Sequence, residues 1–145
     1  MESTLRARAL RFLARREYSR KELHSRLALH AASAAELEAL LDDFTARGWI
    51  SEARVVEQVV HAKRGRFGSA RIRQALLARG VSAELIDPAL RNLQHSELEA
   101  ARAIWSRKFR PAASREERAK QVRFLQSRGF GMEIAMRVVR GRDDS

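Results

Sequence analysis

Leu76-Leu77-Ala78-Arg79-Gly80-Val81-Ser82-Ala83-Glu84-Leu85 decides how this chain is read, because its pattern returns 49 residues later as Leu125-Gln126-Ser127-Arg128-Gly129-Phe130-Gly131-Met132-Glu133-Ile134. Both copies read L-x-x-R-G-[V/F]-x-x-E-[L/I]. A glycine after a run of helical spacing suits the left-handed position that ends a helix, and Glu four residues on belongs to the first turn of the next. Each copy therefore predicts a helix, a glycine-stopped turn and a second helix. With a one-residue shift, Leu27 and the pair Glu36-Leu37 extend the pattern weakly into the first third, without the glycine. Recurrence at this period points to tandem helical units, each too small to be robust alone.

Working outward, the periodicity is helical throughout. Leu5, Ala9, Phe12 and Leu13 share one helical face, predicting a first helix that ends near Arg16. Ser19-Arg20-Lys21-Glu22, Ser33-Ala34-Ala35-Glu36, Ser96-Glu97-Leu98-Glu99 and Ser114-Arg115-Glu116-Glu117 have the S-x-x-E form of a capping box and predict four helix starts. Ser51, Ser69 and Ser82 predict three more, and Gly48 a stop. Pro88 sits early enough in its helix to be tolerated. A last helix carries Ile134, Val138 and Val139, ahead of a tail, Arg142-Asp143-Asp144-Ser145, expected to fray. The reading is all-α: nine short helices in three tandem three-helix repeats, forming an elongated, curved array with units at 1–50, 51–94 and 95–145.

Upstream of the first R-G turn runs Ala62-Lys63-Arg64-Gly65-Arg66-Phe67-Gly68-Ser69-Ala70-Arg71-Ile72-Arg73, inside a segment from Gln58 through Ala83 that holds no Asp or Glu. Such a field must face solvent, counterions or a polyanion. The whole chain carries 29 Lys and Arg against 18 Asp and Glu, a net charge of +11. That predicts attraction to nucleic acid or an acidic protein surface. All but Lys21, Lys63, Lys108 and Lys120 are arginine, which forks onto phosphate and carboxylate. The candidate contacts are Arg16, Arg20 and Lys21 around the first inter-helix turn, Lys63, Arg64, Arg66, Arg71 and Arg73 at the second, and Lys120 and Arg123 on the corresponding third helix. One basic element per unit would make a stripe suited to a long periodic partner. A solvated, solubilising face is the plainer account of the same charges.

Catalysis finds no constellation here. There is no cysteine, so disulfides and thiolate sites are excluded, which fits an intracellular, cytoplasmic location. His24, His30, His61 and His95 stand in no ligand spacing, and Asp42 and Asp43 point about 100° apart on a helix. The glycine run at 65–69 lacks G-x-x-x-x-G-K-[ST] and a preceding strand. No apolar run approaches the ~20 residues of a membrane span, and Met1-Glu2-Ser3 leads into a charged helix, not a signal peptide. Of the aromatic residues, Phe67 is the one singled out as a candidate for exposure among the cations; the others sit where packing explains them. No enzyme, cofactor, metal, membrane or small-molecule substrate is expected.

Arg16-Glu17-Tyr18-Ser19-Arg20-Lys21-Glu22-Leu23 with Leu27, then Gly48-Trp49-Ile50, then Lys120-Gln121-Val122-Arg123-Phe124-Leu125-Gln126-Ser127-Arg128-Gly129-Phe130 together resemble the RecX family of bacterial recombination regulators. Ser51-Glu52-Ala53-Arg54 departs from that family, where an aspartate and then an aromatic residue are more usual. The resemblance implies three three-helix units that bind the RecA recombinase filament on DNA and restrain its activity, with no enzymatic activity or cofactor. Under it, the ten candidate residues would grip RecA or make direct phosphate contacts. An independent DNA-binding protein, using residues 69–90 as a helix-turn-helix-like unit, is the alternative.

Overall fold

Three apolar clusters follow one another along the chain in the computed structural model, which describes residues 4–141. The first gathers Leu5, Ala9, Tyr18, Leu23, Leu27, Leu37, Leu41, Phe44 and Ile50. The second is built on Val55, Val59, Ile72, Leu76, Val81, Ile86 and Leu93, the third on Ala101, Val122, Leu125, Phe130, Ala135, Val138 and Val139. The helices enclosing them are α1 (Leu5–Leu13), α2 (Arg20–Leu27), α3 (Ala34–Ala46), α4 (Glu52–Lys63), α5 (Ser69–Ala78), α6 (Ala83–Lys108), α7 (Arg115–Ser127) and α8 (Met132–Arg140), with a short 3-10 turn at Ala28–His30. No strand occurs among the described residues. The expected fraying of Arg142-Asp143-Asp144-Ser145, like Met1-Glu2-Ser3, lies outside them.

Local chemistry accounts for most boundaries. Ser19 and Glu22 form the full reciprocal box, at 3.1 and 3.0 Å. At Ser33 and Ser114 the hydroxyl accepts from the third helical amide, while Glu36 and Glu117 accept from the amides of Ala32 and Ala113, one residue ahead of the cap. The first helix stops at Leu13, three residues short of the expected Arg16, because the amides of Arg15 and Arg16 turn back onto the Phe12 carbonyl.

One sequence expectation is corrected. The sixth and seventh of the nine expected helices are a single helix, α6, of 26 residues. Ser96 caps nothing: its hydroxyl donates to the Leu93 carbonyl within the helix at 3.2 Å. Arg91 through His95 contain neither glycine nor proline, so nothing ends the helix, and it buries Leu93 in the second cluster and Ala101 in the third. Glu97, 9% exposed, reaches back to accept from the Ser69 amide at 2.6 Å, capping α5, whose N-cap Gly68 has no side chain to do so.

The units meet through one repeated joint. Ser19, at the start of α2, donates its hydroxyl to the Arg79 carbonyl. Arg79 returns Nε to Glu22 at 3.1 Å and Nη2 to the Glu17 carbonyl at 2.8 Å. A methyl group at Gly80 would come within 2.6 Å of Lys21 Cβ. Forty-nine residues on, the start of α5 meets the α7–α8 turn in the same way: the Gly68 amide donates to the Arg128 carbonyl at 2.8 Å and the Ala70 amide to the Gly129 carbonyl at 3.2 Å. Gly80 and Gly129 hold φ of +83° and +95°, and the amide after each closes onto Leu76 or Leu125, both at 3.1 Å. So the R-G turn ends a helix and also seats the second helix of the preceding unit.

Glu22 joins the two units' charges. Burial pushes its carboxyl up, but the Ser19 amide, Arg16 and Arg79 together hold it below the usual carboxylate range. A depressed carboxylate stabilises the fold above its unfolded value, about 4.3, and that contribution is lost as pH falls through the folded value. Glu22→Gln is therefore expected to lose ~1–3 kcal/mol at pH 7, with the gap from wild type closing as urea titrations are repeated at increasingly acid pH. Gly129→Ala forces a left-handed φ onto alanine and drives its Cβ to 2.6 Å from the Arg71 amide nitrogen. Thermal unfolding should show a loss of ~1–3 kcal/mol, whereas Gly65→Ala, with open space around it, should stay within about 0.5 kcal/mol of wild type.

Candidate binding surface

The acid-free segment becomes a tight turn followed by a helix start. After α4 the amides of Gly65, Arg66 and Phe67 all donate to the Lys63 carbonyl, at 3.2, 3.0 and 2.9 Å. This winding draws Phe67 back against the second apolar cluster, so the ring is half-buried. Cations surround its remaining face: Lys63 Nζ lies 5.1 Å from the ring centroid, and the guanidinium carbons of Arg71, Arg128 and Arg66 at 5.0, 5.8 and 5.9 Å.

Arg128 also stands 5.1 Å from Phe124, whose ring is capped by Lys108 Nζ at 4.0 Å and met edge-on by Phe109 at 5.3 Å. Rings and cations thus alternate from Phe67 through Arg128, Phe124 and Lys108 to Phe109, crossing the joint between the second and third units. Ring faces hold the cations in place while leaving them ionised. No carboxylate among the described residues lies within ion-pair distance of Lys63, Arg64, Arg66, Arg71, Lys108 or Arg128. Lys63, Phe67, Arg71 and Gln74 line a cleft of about 260 Å³ in which a phosphate or carboxylate group would meet these charges directly.

The first unit makes a contrasting cluster. Phe44 and Trp49 meet edge to face at 5.1 Å beneath Arg6 and Arg47, but Asp43 pairs with both arginines, at 3.1 and 2.9 Å. Arg47 and then Arg6 hold the Asp43 carboxyl below its ordinary range. Ring and cation recur there with one carboxylate shared between the two arginines.

The ten sequence-derived candidates divide accordingly. Arg16 is spent inside the molecule, 3.7 Å over Tyr18 and 3.0 Å from Glu22, and Arg20 bridges Glu38 and Asp42 at 2.7 Å each. Arg73 pairs with Asp87, tying α5 to α6. Lys21 packs its stem beside Gly80, and Arg71, which donates to the Ser127 carbonyl at 2.7 Å, packs the same way beside Gly129. Lys63, Arg64 and Arg66 sit on the turn, and Lys120 and Arg123 are exposed on α7. The structure brings Lys63, Arg66 and Arg71 together around one ring and leaves Lys120 and Arg123 apart from it. Arg128 and Lys108, absent from the candidates, complete the cluster. The 49-residue offset held the signal for Arg128, since it equates that residue with Arg79 at the other joint.

Chemistry of other kinds finds no footing among the described residues. No three His, Asp or Glu side chains converge as a metal set, and all four histidines are exposed. No helix is long and apolar enough to cross a membrane.

Comparison with known proteins matches residues 51–90 to the second three-helix domain of RecX and residues 95–139 to its third. The regulatory protein RecX of Leptothrix cholodnii is 51% identical over 97% of this chain and 90% of its own length. That of Ralstonia nicotianae is 45% identical over 97% and 89%. The crystal structure of RecX from Lactobacillus salivarius has the same fold, with a TM-score of 0.84 at 16% identity, covering 94% of this chain and 92% of that one. The tandem three-helix units and identity along nearly the whole length lead to one conclusion: the chain belongs to the RecX family of regulatory proteins.

Proposed function

We propose that this protein binds the RecA recombinase filament on DNA in the cytoplasm and restrains its ATPase and strand-exchange activity, as a regulator without catalysis or cofactor of its own. The repeat units at 1–50, 51–94 and 95–145 form the array, and the joint between the second and third makes the principal contact. The observation that carries this reading is the run of cations on half-buried rings, Lys63, Arg66, Arg71, Arg128 and Lys108, with no carboxylate partner among the described residues; the first three come from a sequence segment without a carboxylate. A filament offers phosphate and acidic side chains at regular intervals, and fixed guanidinium groups recognise both. Arg16, Arg20 and Arg73, already paired within the chain, play a lesser part than the turn.

The same rings favour one second reading, direct binding to single-stranded DNA, since aromatic faces among cations are what base stacking uses. Salt dependence separates the two. A Lys63→Glu, Arg64→Glu, Arg66→Glu triple variant keeps the joint residue Arg71. In a titration of RecA–DNA ATPase it should need roughly tenfold more protein than wild type for the same inhibition, equivalent to ~1.4 kcal/mol. Equal potency removes the turn from the contact. If single-stranded DNA is bound independently, the salt slope of that binding should fall by about 0.7 for each phosphate that the variant no longer neutralises. Weak duplex and single-strand binding alongside intact inhibition of RecA counts against the DNA-only reading.

A further inference from the structure

The third unit carries a groove that the ring-and-cation run does not use. It lies between the end of α6, one face of α7 and the length of α8, and encloses about 830 Å³. Its floor is apolar: Trp105, Val122, Met136 and Val139, with Met132, 56% exposed, at one end. The face of α7 turned toward it runs Arg115, Arg118, Val122 and Gln126, spaced as one side of a helix. Trp105 is pinned in place, its Nε1 donating to Gln121 at 2.9 Å while Gln121 donates on to the Arg110 carbonyl at 3.0 Å. Around this floor stand Arg115, Arg118, Arg123 and Arg140. None of the four lies within ion-pair distance of a carboxylate among the described residues.

We infer that this groove docks an amphipathic acidic peptide segment of a partner protein, its apolar side chains on the methionine-rich floor and its carboxylates on the arginine rim. The volume falls within the ~300–1,000 Å³ of sites that bury most of a bound ligand, and methionine adapts to the shapes of different apolar side chains. Charge complementarity selects acidic partners: four guanidinium groups with no carboxylate partner among the described residues flank an apolar trough. The floor argues against nucleic acid, because it is aliphatic and thioether apart from one indole, whereas stacking needs several ring faces. Those faces are Phe67, Phe124 and Phe109, none of which lines this groove. The inference does not rest on the RecA reading, and of the ten sequence-derived contacts it involves Arg123 alone.

The test uses the full chain with Trp49→Phe, which leaves Trp105 as the single tryptophan and a reporter inside the groove. The probe is a synthetic peptide with leucine at i, i+3, i+4 and i+7 and glutamate elsewhere. It is titrated against polyglutamate of equal length, the same peptide with lysine for glutamate, and a single-stranded oligonucleotide of equal charge. A saturable change in Trp105 emission is expected with the Glu-Leu peptide alone. Met132→Glu and Arg118→Glu, both on exposed positions, should each weaken it by roughly tenfold. Should Met132→Glu fail to fold, Arg118→Glu carries the test. No saturable change overturns the inference. So does polyglutamate binding as well as the peptide, which would make charge alone sufficient, or oligonucleotide binding that these two substitutions weaken, which would make the groove a nucleic-acid site.

Discussion

Everything larger than a single three-helix unit depends on how the first turn of one helix is seated on the glycine turn of the next unit. Ser19 against Arg79-Gly80 and Gly68 against Arg128-Gly129 are the same contact made twice, at separations only a glycine permits. Each unit buries an apolar cluster of seven to nine residues, a small core by any standard. Neighbours must therefore lend stability, and they do so through satisfied hydrogen bonds and the continuous α6 shared by the second and third clusters. Repeat proteins held by nearest-neighbour terms of this kind transmit geometry from unit to unit.

The two joints differ in their electrostatics: ion pairs tie the first, while cations rest on aromatic rings at the second. At the first, Arg79 and Arg16 share the Glu22 carboxylate in a half-buried network, so its charges serve the fold. At the second, Arg128 occupies the place of Arg79 but meets Phe67 and Phe124 in place of a carboxylate. The aromatic faces hold it without discharging it. A polyanion approaching that joint meets positive charge already positioned, with less side-chain freedom to surrender on binding. The groove on the far helices of the third unit repeats the theme with an apolar floor.

The repeat pattern was legible because it rests on short-range rules. A glycine must follow the last helical residue where the chain turns left-handed, so Gly80 and Gly129 declared themselves at matching places, and serine-to-glutamate boxes marked the starts of α2, α3 and α7. The same rules misread Ser96-Glu97-Leu98-Glu99. Whether S-x-x-E caps a helix depends on whether the chain needs a start there, and the apolar residues on both sides favoured one continuous helix across two cores. Glu97 was recruited elsewhere, to a helix start 28 residues earlier in the chain, a partnership that no local pattern can express.

The sequence by itself determined the helical class, the tandem plan, the acid-free basic segment and the family resemblance, since each is carried by composition or by the spacing of residues along the chain. Only the tertiary structure decided which cations have no counterion among the described residues. Arg16, Arg20 and Arg73 resemble Lys63 and Arg66 in one dimension. They part company because Glu22, Glu38, Asp42 and Asp87 fold against the former, while a phenylalanine ring folds against the latter. Charge balance is a property of distances across the fold. The intramolecular partner of each arginine is therefore settled by packing.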